Sequence, residues 1–528
     1  MLTAFACSVT YAVGIADSSH FFASSTNQAP KFAKKPQLEK AVSELRSLLG
    51  EDAISTDDED LRRHGYSEWS TVNIDQLPIA IAYPESTEAV SKIAQVCSKH
   101  KIPMVPFSGG SSLEANFSAP YGGVCIDFAQ MGQLLAVHED DLDCVVQPAV
   151  GWMDLNEKIK STGLFFPVDP GPSAMIGGMV GTSCSGTNAV RYGTMKDNVV
   201  NLTVVLADGT IIKTRKRPRK SSAGYNLTSL FVGSEGTLGI VTEITLKLSI
   251  IPAETSVAVV TFPTIRDAAS AASQVLRSGI QIGAMEIMDD VQMGVVNKSG
   301  FTQRVWDEVP TMFFKFSGTK SQVREHVDMV RSISKKWRSK SFEFTVDAEE
   351  QKKLWSARKE SLWSMLALRA GDEQVWSTDV AVPISRLPDI IEISKKDIDE
   401  LGVFASALGH VGDGNFHEAI LYDAKDPVTK KKVEDCVSRL VDRALEMDGT
   451  CTVSAPGIAS ARNVRLECLL VRQGEHGIGL GKKASLIKEL GLETVGAMQS
   501  IKRALDPHCL MNPGKIFDMP GMATIKTF

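Results

Sequence analysis

Apolar positions change their period along this chain, and each change marks a new kind of element. Leu38, Ala41, Val42, Leu45, Leu48 and Leu49 recur at helical spacing, so a helix opens the stretch 39–66. From Ile79 the pattern shortens to β-rich runs alternating with helices. Ile79–Tyr83 and Pro103–Phe107 read as strands. Ser86–His100 between them reads as a helix, capped by Ser86 or Thr87, with Val90, Ile93, Ala94 and Val96 on one face. Val124–Asp127 and Cys144–Gln147 continue the series. This rhythm predicts a sheet with ligand loops at its strand ends. Val199–Leu206 is a buried-strand run that turns at Asp208-Gly209, a hairpin signal. After Leu248 the order changes. Strands over 256–262 and 311–317, with helices over 265–278, Ser321–Trp337 and Asp347–Arg369, predict a second α+β domain beginning near Pro252.

Three glycine loops punctuate the first unit. Phe107-Ser108-Gly109-Gly110-Ser111-Ser112-Leu113 follows a strand directly, and its backbone N–H groups suit an anion. Its spacing is neither that of a P-loop nor that of a Rossmann turn. Asp169-Pro170-Gly171-Pro172 leads into Ile176–Asn188, a run of small residues that permits close approach by a large flat ligand. Arg191-Tyr192-Gly193 follows. Gly233–Val241 adds a third loop ahead of a strand.

Composition narrows the class. A chain of 528 residues allows about three structural units. A net charge of −6 argues against nucleic-acid binding. The basic run Arg215–Lys220 reads as a solvated loop after the hairpin. Nine cysteines stand singly, without C-x-x-C, which suggests reduced thiols and no c-type haem attachment. Leu2–Ala16 is apolar but shorter than a bilayer span, and reads either as the remnant of a membrane anchor or as a leader.

Chemistry concentrates near the C-terminus. His410-Val411-Gly412-Asp413-Gly414-Asn415-Phe416-His417 and Gly474-Glu475-His476-Gly477-Ile478-Gly479 hold three of the nine histidines and a glutamate. That set is enough for a divalent metal and a general base. Arg358 is the candidate clamp for a substrate carboxylate, because guanidinium offers a bidentate fork. A surface ion pair is the plainer role for an arginine in the helical run Ala357–Glu360.

The three glycine loops resemble the flavin domain of the vanillyl-alcohol oxidase and p-cresol methylhydroxylase superfamily over about residues 70–250. The histidine segments resemble the D-2-hydroxyacid dehydrogenase branch. Lys213-Thr214-Arg215 through Ser222–Asn226, Trp376–Pro383 and Leu510–Lys515 resemble its D-lactate dehydrogenase (cytochrome) subgroup. The resemblance then spans about residues 40–517.

It implies an α+β fold: a two-part FAD-binding domain of the p-cresol methylhydroxylase type over 39–251, then an α+β substrate (cap) domain with C-terminal helices over 252–517. Residues 1–38 are then leader and linker, and 518–528 a tail. It implies non-covalent FAD held by Ser108, Gly109, Gly110, Ser111, Ser112, Leu113, Pro170, Gly177, Gly178, Thr182, Ser185, Gly186, Tyr192, Gly193, Glu235, Gly236, Ile240, Val241 and Asn512. It implies a divalent metal, Zn²⁺ or Mn²⁺, on His410, His417 and Glu475, with His476 as the base. Asn415 serves the loop geometry or the substrate. No Lys or Arg stands at Trp376–Thr378, where the 2-hydroxyglutarate branch grips a second carboxylate, which favours a monocarboxylate such as D-lactate. The expected reaction is oxidation of D-lactate to pyruvate, with electrons passed to cytochrome c or another acceptor, in the mitochondrion. The alternatives are D-2-hydroxyglutarate or glycolate oxidation on the same fold, or a catalytically impaired flavin-binding protein.

One departure bears on that last alternative. The family runs Gly-Thr-Cys-Thr directly into Gly-Glu-His-Gly. Here Val453–Gln473, 21 residues without clear period, separates Gly449–Thr452 from Gly474. Val codons begin with GT, Gln is encoded by CAG among others, and the length keeps the frame. A retained intron is therefore expected, with a surface loop as the alternative.

Overall fold

The computed structural model describes residues 30–67, 70, 72–302, 304–370, 373–423, 425–451 and 477–522. Two sheets build the first unit. A four-stranded sheet has the order Ile54–Ser55, Ala80–Ala82, Val124–Asp127, Met104–Phe107, and its last three strands run parallel. Thr87–His100 covers it, with Ser86 as N-cap accepting from the Ala89 N–H. A five-stranded antiparallel sheet follows in the order Leu134–His138, Asp143–Val146, Ile240–Lys247, Val199–Val205, Ile211–Lys213. The predicted hairpin is its Val199–Val205/Ile211–Lys213 pair, with Gly209 at φ +88° in the turn. Arg217 of the basic loop pairs with Asp141 and Asp143, so that charge is spent locally.

The second unit is a sheet of nine strands among the described residues. Its central strands are Glu254–Thr261, Thr311–Gly318, Ile282–Met288, Phe404–Gly409 and Asn415–Asp423. Alternation on Thr311–Gly318 sorts the two faces. Met312, Phe314 and Phe316 enter the large core under Ile265–Arg277, Lys320–Lys336, Leu387–Glu400 and Pro427–Glu446. Phe313 enters a smaller core with Leu354 and Ala357 on the opposite face.

One expectation changes, and one segment crosses between the units. The helix predicted over Asp347–Arg369 is two helices, Ala348–Lys359 and Ser361–Ala367, parted at Glu360. The break lets Ser361 Oγ bond back to the Arg358 carbonyl, 2.9 Å away. The C-terminal segment also recrosses to the first unit. Met104 and Met511 form a β-bridge, Leu510 and Met511 join the first core, and Lys502 Nζ donates to the Thr237 and Met511 carbonyls. The second core is therefore made within 252–451, while 510–515 belongs by contact to the first unit. Residues 1–29, which include the apolar leader, and 452–476, which include the insert, lie outside the described residues. No helix among the described residues is long and apolar enough to cross a membrane. The six described cysteines without a disulfide are all buried.

Candidate active site

The strand Met104–Phe107 ends in a loop at the mouth of a long groove. Pro106–Ser112, Pro170–Gly171, Met175–Thr182, Ser234–Gly236, Val241 and Asn512 contribute to its walls. Gly110 sits at φ +61°, and a Cβ there would lie 2.6 Å from the Phe107 ring. This position requires glycine. Among the described residues, the N–H groups of Gly109, Gly110, Ser111 and Ser112 have no acceptor, so the turn offers four donors to an anion. Opposite them lies the helix Ile176–Thr182. A Cβ on its Gly178 would meet nothing within 4 Å. The backbone there is bare on the groove side, as close approach by a flat ring requires.

Thirteen of the nineteen residues expected to hold FAD line this groove: Ser108, Gly109, Gly110, Ser111, Ser112, Pro170, Gly177, Gly178, Thr182, Glu235, Gly236, Val241 and Asn512. Leu113, Ser185, Gly186, Tyr192, Gly193 and Ile240 do not. Ile240 is fully buried in its strand, and Gly186 lies against Asp169. Tyr192 packs its ring on Phe165, beside Arg191, which donates to Ser317 across the domain junction. Asn116, Phe117, Pro148 and Met175 line the groove without having been expected there. Met175, Asn116 and Phe117 adjoin the glycine loops without being glycines themselves, and Pro148 follows the strand Asp143–Val146.

Glu235 ties the groove to the C-terminal segment. Its carboxylate accepts from the Ile478 N–H at 2.5 Å, the Gly479 N–H at 2.8 Å and Asn116 Nδ2 at 2.5 Å. The loop that follows Glu475 and His476 is thereby held against the flavin-side unit. Burial pushes the Glu235 carboxyl up to about 7, against the pull of those donors and of Lys515. Between its ordinary value of 4.5 and about 7, the folded chain keeps a proton that the unfolded chain has lost. The stability due to this group falls as pH rises through that window. Lys515, which burial pushes down to about 7, acts in the opposite direction above it. Glu235→Gln is therefore expected to flatten the decline of melting temperature on the acidic side of neutrality. Calorimetric scans of both proteins check this, and parallel profiles would contradict it.

The second constellation lies where the strands Phe404–Gly409 and Asn415–Asp423 meet. His410 and His417 flank the turn, with rings 5.5 Å apart and nearly perpendicular. His417 Nδ1 lies 3.0 Å from the Thr378 carbonyl, which can only accept. The proton is therefore on Nδ1, and Nε2 carries a lone pair. That Nε2 is buried and has no partner among the described residues. Burial pushes this imidazole down to about 4, so it is neutral at physiological pH. His410 Nδ1 bonds Glu286 Oε1 at 2.7 Å, and its Nε2 lies 3.3 Å from Arg358 Nη2, a donor. Both rings thus present Nε2 as acceptor while Nδ1 is anchored. This is the arrangement of metal-ligating histidines fixed by a carboxylate and a carbonyl. The donor set fits Zn²⁺ or Mn²⁺. Glu475 and His476, the expected third ligand and base, lie outside the described residues, and no cluster of three ligands occurs within them.

Arg358 is buried, not a surface residue. Its Nε donates to Glu286 at 2.8 Å and its Nη1 to Ser361 at 3.3 Å. Burial pushes Glu286 up, but His410 and Arg358 outweigh it and hold its pKa below the ordinary value. Asn415 donates to Asp379 at 2.7 Å, so it braces the turn. Asp169-Pro170 joins the two constellations. Pro170 lines the groove, while Asp169 is within electrostatic reach of His410 and Lys315. Glu286 was missed from sequence. A charged residue inside the apolar run Ala284–Met288 was the available signal.

A model of the FAD binding domain matches residues 78–215, and one of the C-terminal domain of FAD-linked oxidases matches 251–453 and 471–516. The gap between the last two ranges falls inside Val453–Gln473. The chain is 43% identical over 492 residues to a mitochondrial D-lactate dehydrogenase (cytochrome) of Arabidopsis thaliana, covering 93% of this chain and 82% of that one. It is 44% identical over 506 residues to D-lactate dehydrogenase (cytochrome) 1 of Saccharomyces cerevisiae mitochondria, covering 93% and 82%. Among solved structures, p-cresol methylhydroxylase with substrate bound superposes with a TM-score of 0.71 at 19% identity, covering 93% of this chain and 98% of the other. At that identity the likeness concerns the fold alone.

Proposed function

The chain belongs to the D-lactate dehydrogenase (cytochrome) family of FAD-linked oxidoreductases, and from that premise we propose that it oxidises D-lactate to pyruvate and passes the electrons to cytochrome c in the mitochondrion. The observation that carries this reading is the buried histidine pair, with Nε2 of His417 unpartnered among the described residues, joined to the groove through Asp169-Pro170.

Oxidation removes the hydroxyl proton and the C2 hydride of the acid. FAD, when bound in the groove, supplies the two-electron acceptor for that hydride. A divalent metal on His410, His417 and Glu475, when bound, supplies Lewis acidity at the substrate hydroxyl. The remaining work falls to side chains. His476 takes the hydroxyl proton. Arg358 has N–H groups left after serving Glu286, Ser361 and His410, and these bind the carboxylate. Glu286 and Thr378 hold the two imidazoles in the tautomer that turns the Nε2 lone pair inward, where that of His410 already accepts from Arg358 Nη2.

Reduction of ferricytochrome c, followed spectrophotometrically with a panel of acids, tests the assignment. D-lactate is expected to exceed glycolate and D-2-hydroxyglutarate by about tenfold or more in kcat/KM, a difference of about 1.4 kcal/mol. Preference for D-2-hydroxyglutarate would overturn it.

A further inference from the structure

The short helix Ala189–Tyr192 belongs to the first unit but packs on the second. It lies against the strand Ile282–Met288 and against the turn Val411–Asp413, between His410 and His417. Among the described residues, Val190 is the one apolar side chain of the first unit packed against the large core of the second. It ends on Gly412. A Cβ built there would have Val190 Cβ at 2.7 Å, Cγ2 at 2.8 Å and Cγ1 at 3.3 Å as its three nearest atoms. The φ of Gly412 is not positive. Space, and not backbone conformation, therefore requires glycine at this position.

The other end of this contact is tied to the groove. Thr187 Oγ1 donates to Asp169 Oδ2 at 2.6 Å, the Asn188 N–H to Asp169 Oδ1 at 2.9 Å, and Asn188 Nδ2 to the Pro167 carbonyl at 3.1 Å. Pro170 and Cys184, on either side of that strap, line the groove. Past Val190, Arg191 Nη1 donates to Ser317 Oγ of the second unit at 2.9 Å. Groove wall, Val190 and histidine turn thus form one continuous chain of contacts. Valine suits its middle link, because branching at Cβ leaves χ1 little freedom.

We propose that Val190 and Gly412 are positioning residues, a peg and its socket that set the separation between the groove and the histidine pair. This rests on the reading that an acid held at the histidines gives its hydride to a flavin in the groove. Such a transfer needs reacting atoms about 3–3.5 Å apart. A methyl group at 412 would have to push the turn away from the groove wall, since carbon atoms pack at about 3.5–4.0 Å.

The test is a double-mutant cycle on the FAD-loaded full chain, with Gly412→Ala, Val190→Gly and the double variant. Anaerobic stopped-flow with D-lactate gives a limiting rate and an apparent Kd, and absorbance gives the FAD content. Gly412→Ala is expected to lower the limiting rate about 10- to 100-fold, the scale of a displacement approaching about 1 Å. FAD content should stay unchanged, and the apparent Kd should move less than about threefold, as for an effect felt only in the transition state. Val190→Gly removes all three close atoms, so the double variant should regain the wild-type rate to within about fivefold. A loss that Val190→Gly does not recover would place the effect in the turn itself and overturn the proposal. So would an unchanged rate in Gly412→Ala, or a loss that follows FAD content. Amide exchange read by mass spectrometry separates the peg from the oxidation reading. Gly412→Ala should speed exchange in both 187–193 and 409–415, and the double variant should restore both. A wild type that D-lactate does not reduce refutes the oxidation reading, while the peg is still judged by exchange, and unchanged exchange in either segment overturns it. Should Gly412→Ala fail to fold, Val190→Phe presses the same gap from the other side, with the same loss expected and an unchanged rate overturning the proposal.

Discussion

Replacing His417 by alanine is expected to lower the limiting rate of flavin reduction by D-lactate about 1,000-fold or more, with FAD content unchanged. The size follows from the several kcal/mol a Lewis acid contributes at a developing charge. The selectivity follows from position, because His417 does not line the groove. A buried acceptor without a partner costs about 1–3 kcal/mol. Among the described residues His417 Nε2 is one, and the opposite nitrogen is anchored to the Thr378 carbonyl. A histidine serving only as core would have its second nitrogen bonded or would be replaced by an apolar residue. Stopped-flow absorbance with elemental analysis checks this. A His417→Ala protein with wild-type metal content and a rate within tenfold would contradict it.

Gly178→Leu is expected to raise the Kd for FAD at least about 100-fold while the fold survives. Space for a Cβ at this position is open on the protein side, so leucine should meet no backbone. Its branch would instead occupy volume in the groove. The glycine costs helix stability, about 1 kcal/mol relative to alanine, so leucine should leave the melting temperature of the apoprotein unchanged or raised. Gly177→Leu is the contrasting case, because a Cβ there lies 2.7 Å from Pro148, and loss of fold is expected instead. Flavin release measured by fluorescence, beside thermal melts of both apoproteins, separates the two. Full FAD occupancy in Gly178→Leu would remove the ring from this wall.

Legibility from sequence followed the range of the interactions. The helix Thr87–His100 and the strands around it were readable, because capping and period are local properties. The glycine loops marked most of the groove for the same reason, since bare backbone appears directly as glycine and serine. Glu286 was not readable. Glu286 is 124 residues from the histidine it orients, and only strand order brings them together. Tyr192 shows the converse, a residue beside a legible motif that the structure places away from the groove. It follows the glycine run closely, but its short helix Ala189–Tyr192 turns it toward Phe165 at the domain junction. Legible motifs therefore supplied the atoms of the chemistry, while the residues that orient them came from register.

The segment Val453–Gln473 bears on all of this, because it precedes Glu475 and His476 directly. A misplacement of about 1 Å at a catalytic group costs about 100-fold in rate. Sequencing the mature transcript across Thr452–Gly474 decides whether the segment is an intron.

The most direct test is an anaerobic half-reaction with the FAD-loaded chain, run with and without residues 453–473. D-lactate or L-lactate is added and the visible absorbance of the flavin is followed. Bleaching by D-lactate and not by L-lactate is the expected result, and its presence in both forms would show the segment to be harmless. Flavin that stays oxidised with D-lactate in both forms, or bleaches equally with either enantiomer, would contradict D-lactate oxidation at this site.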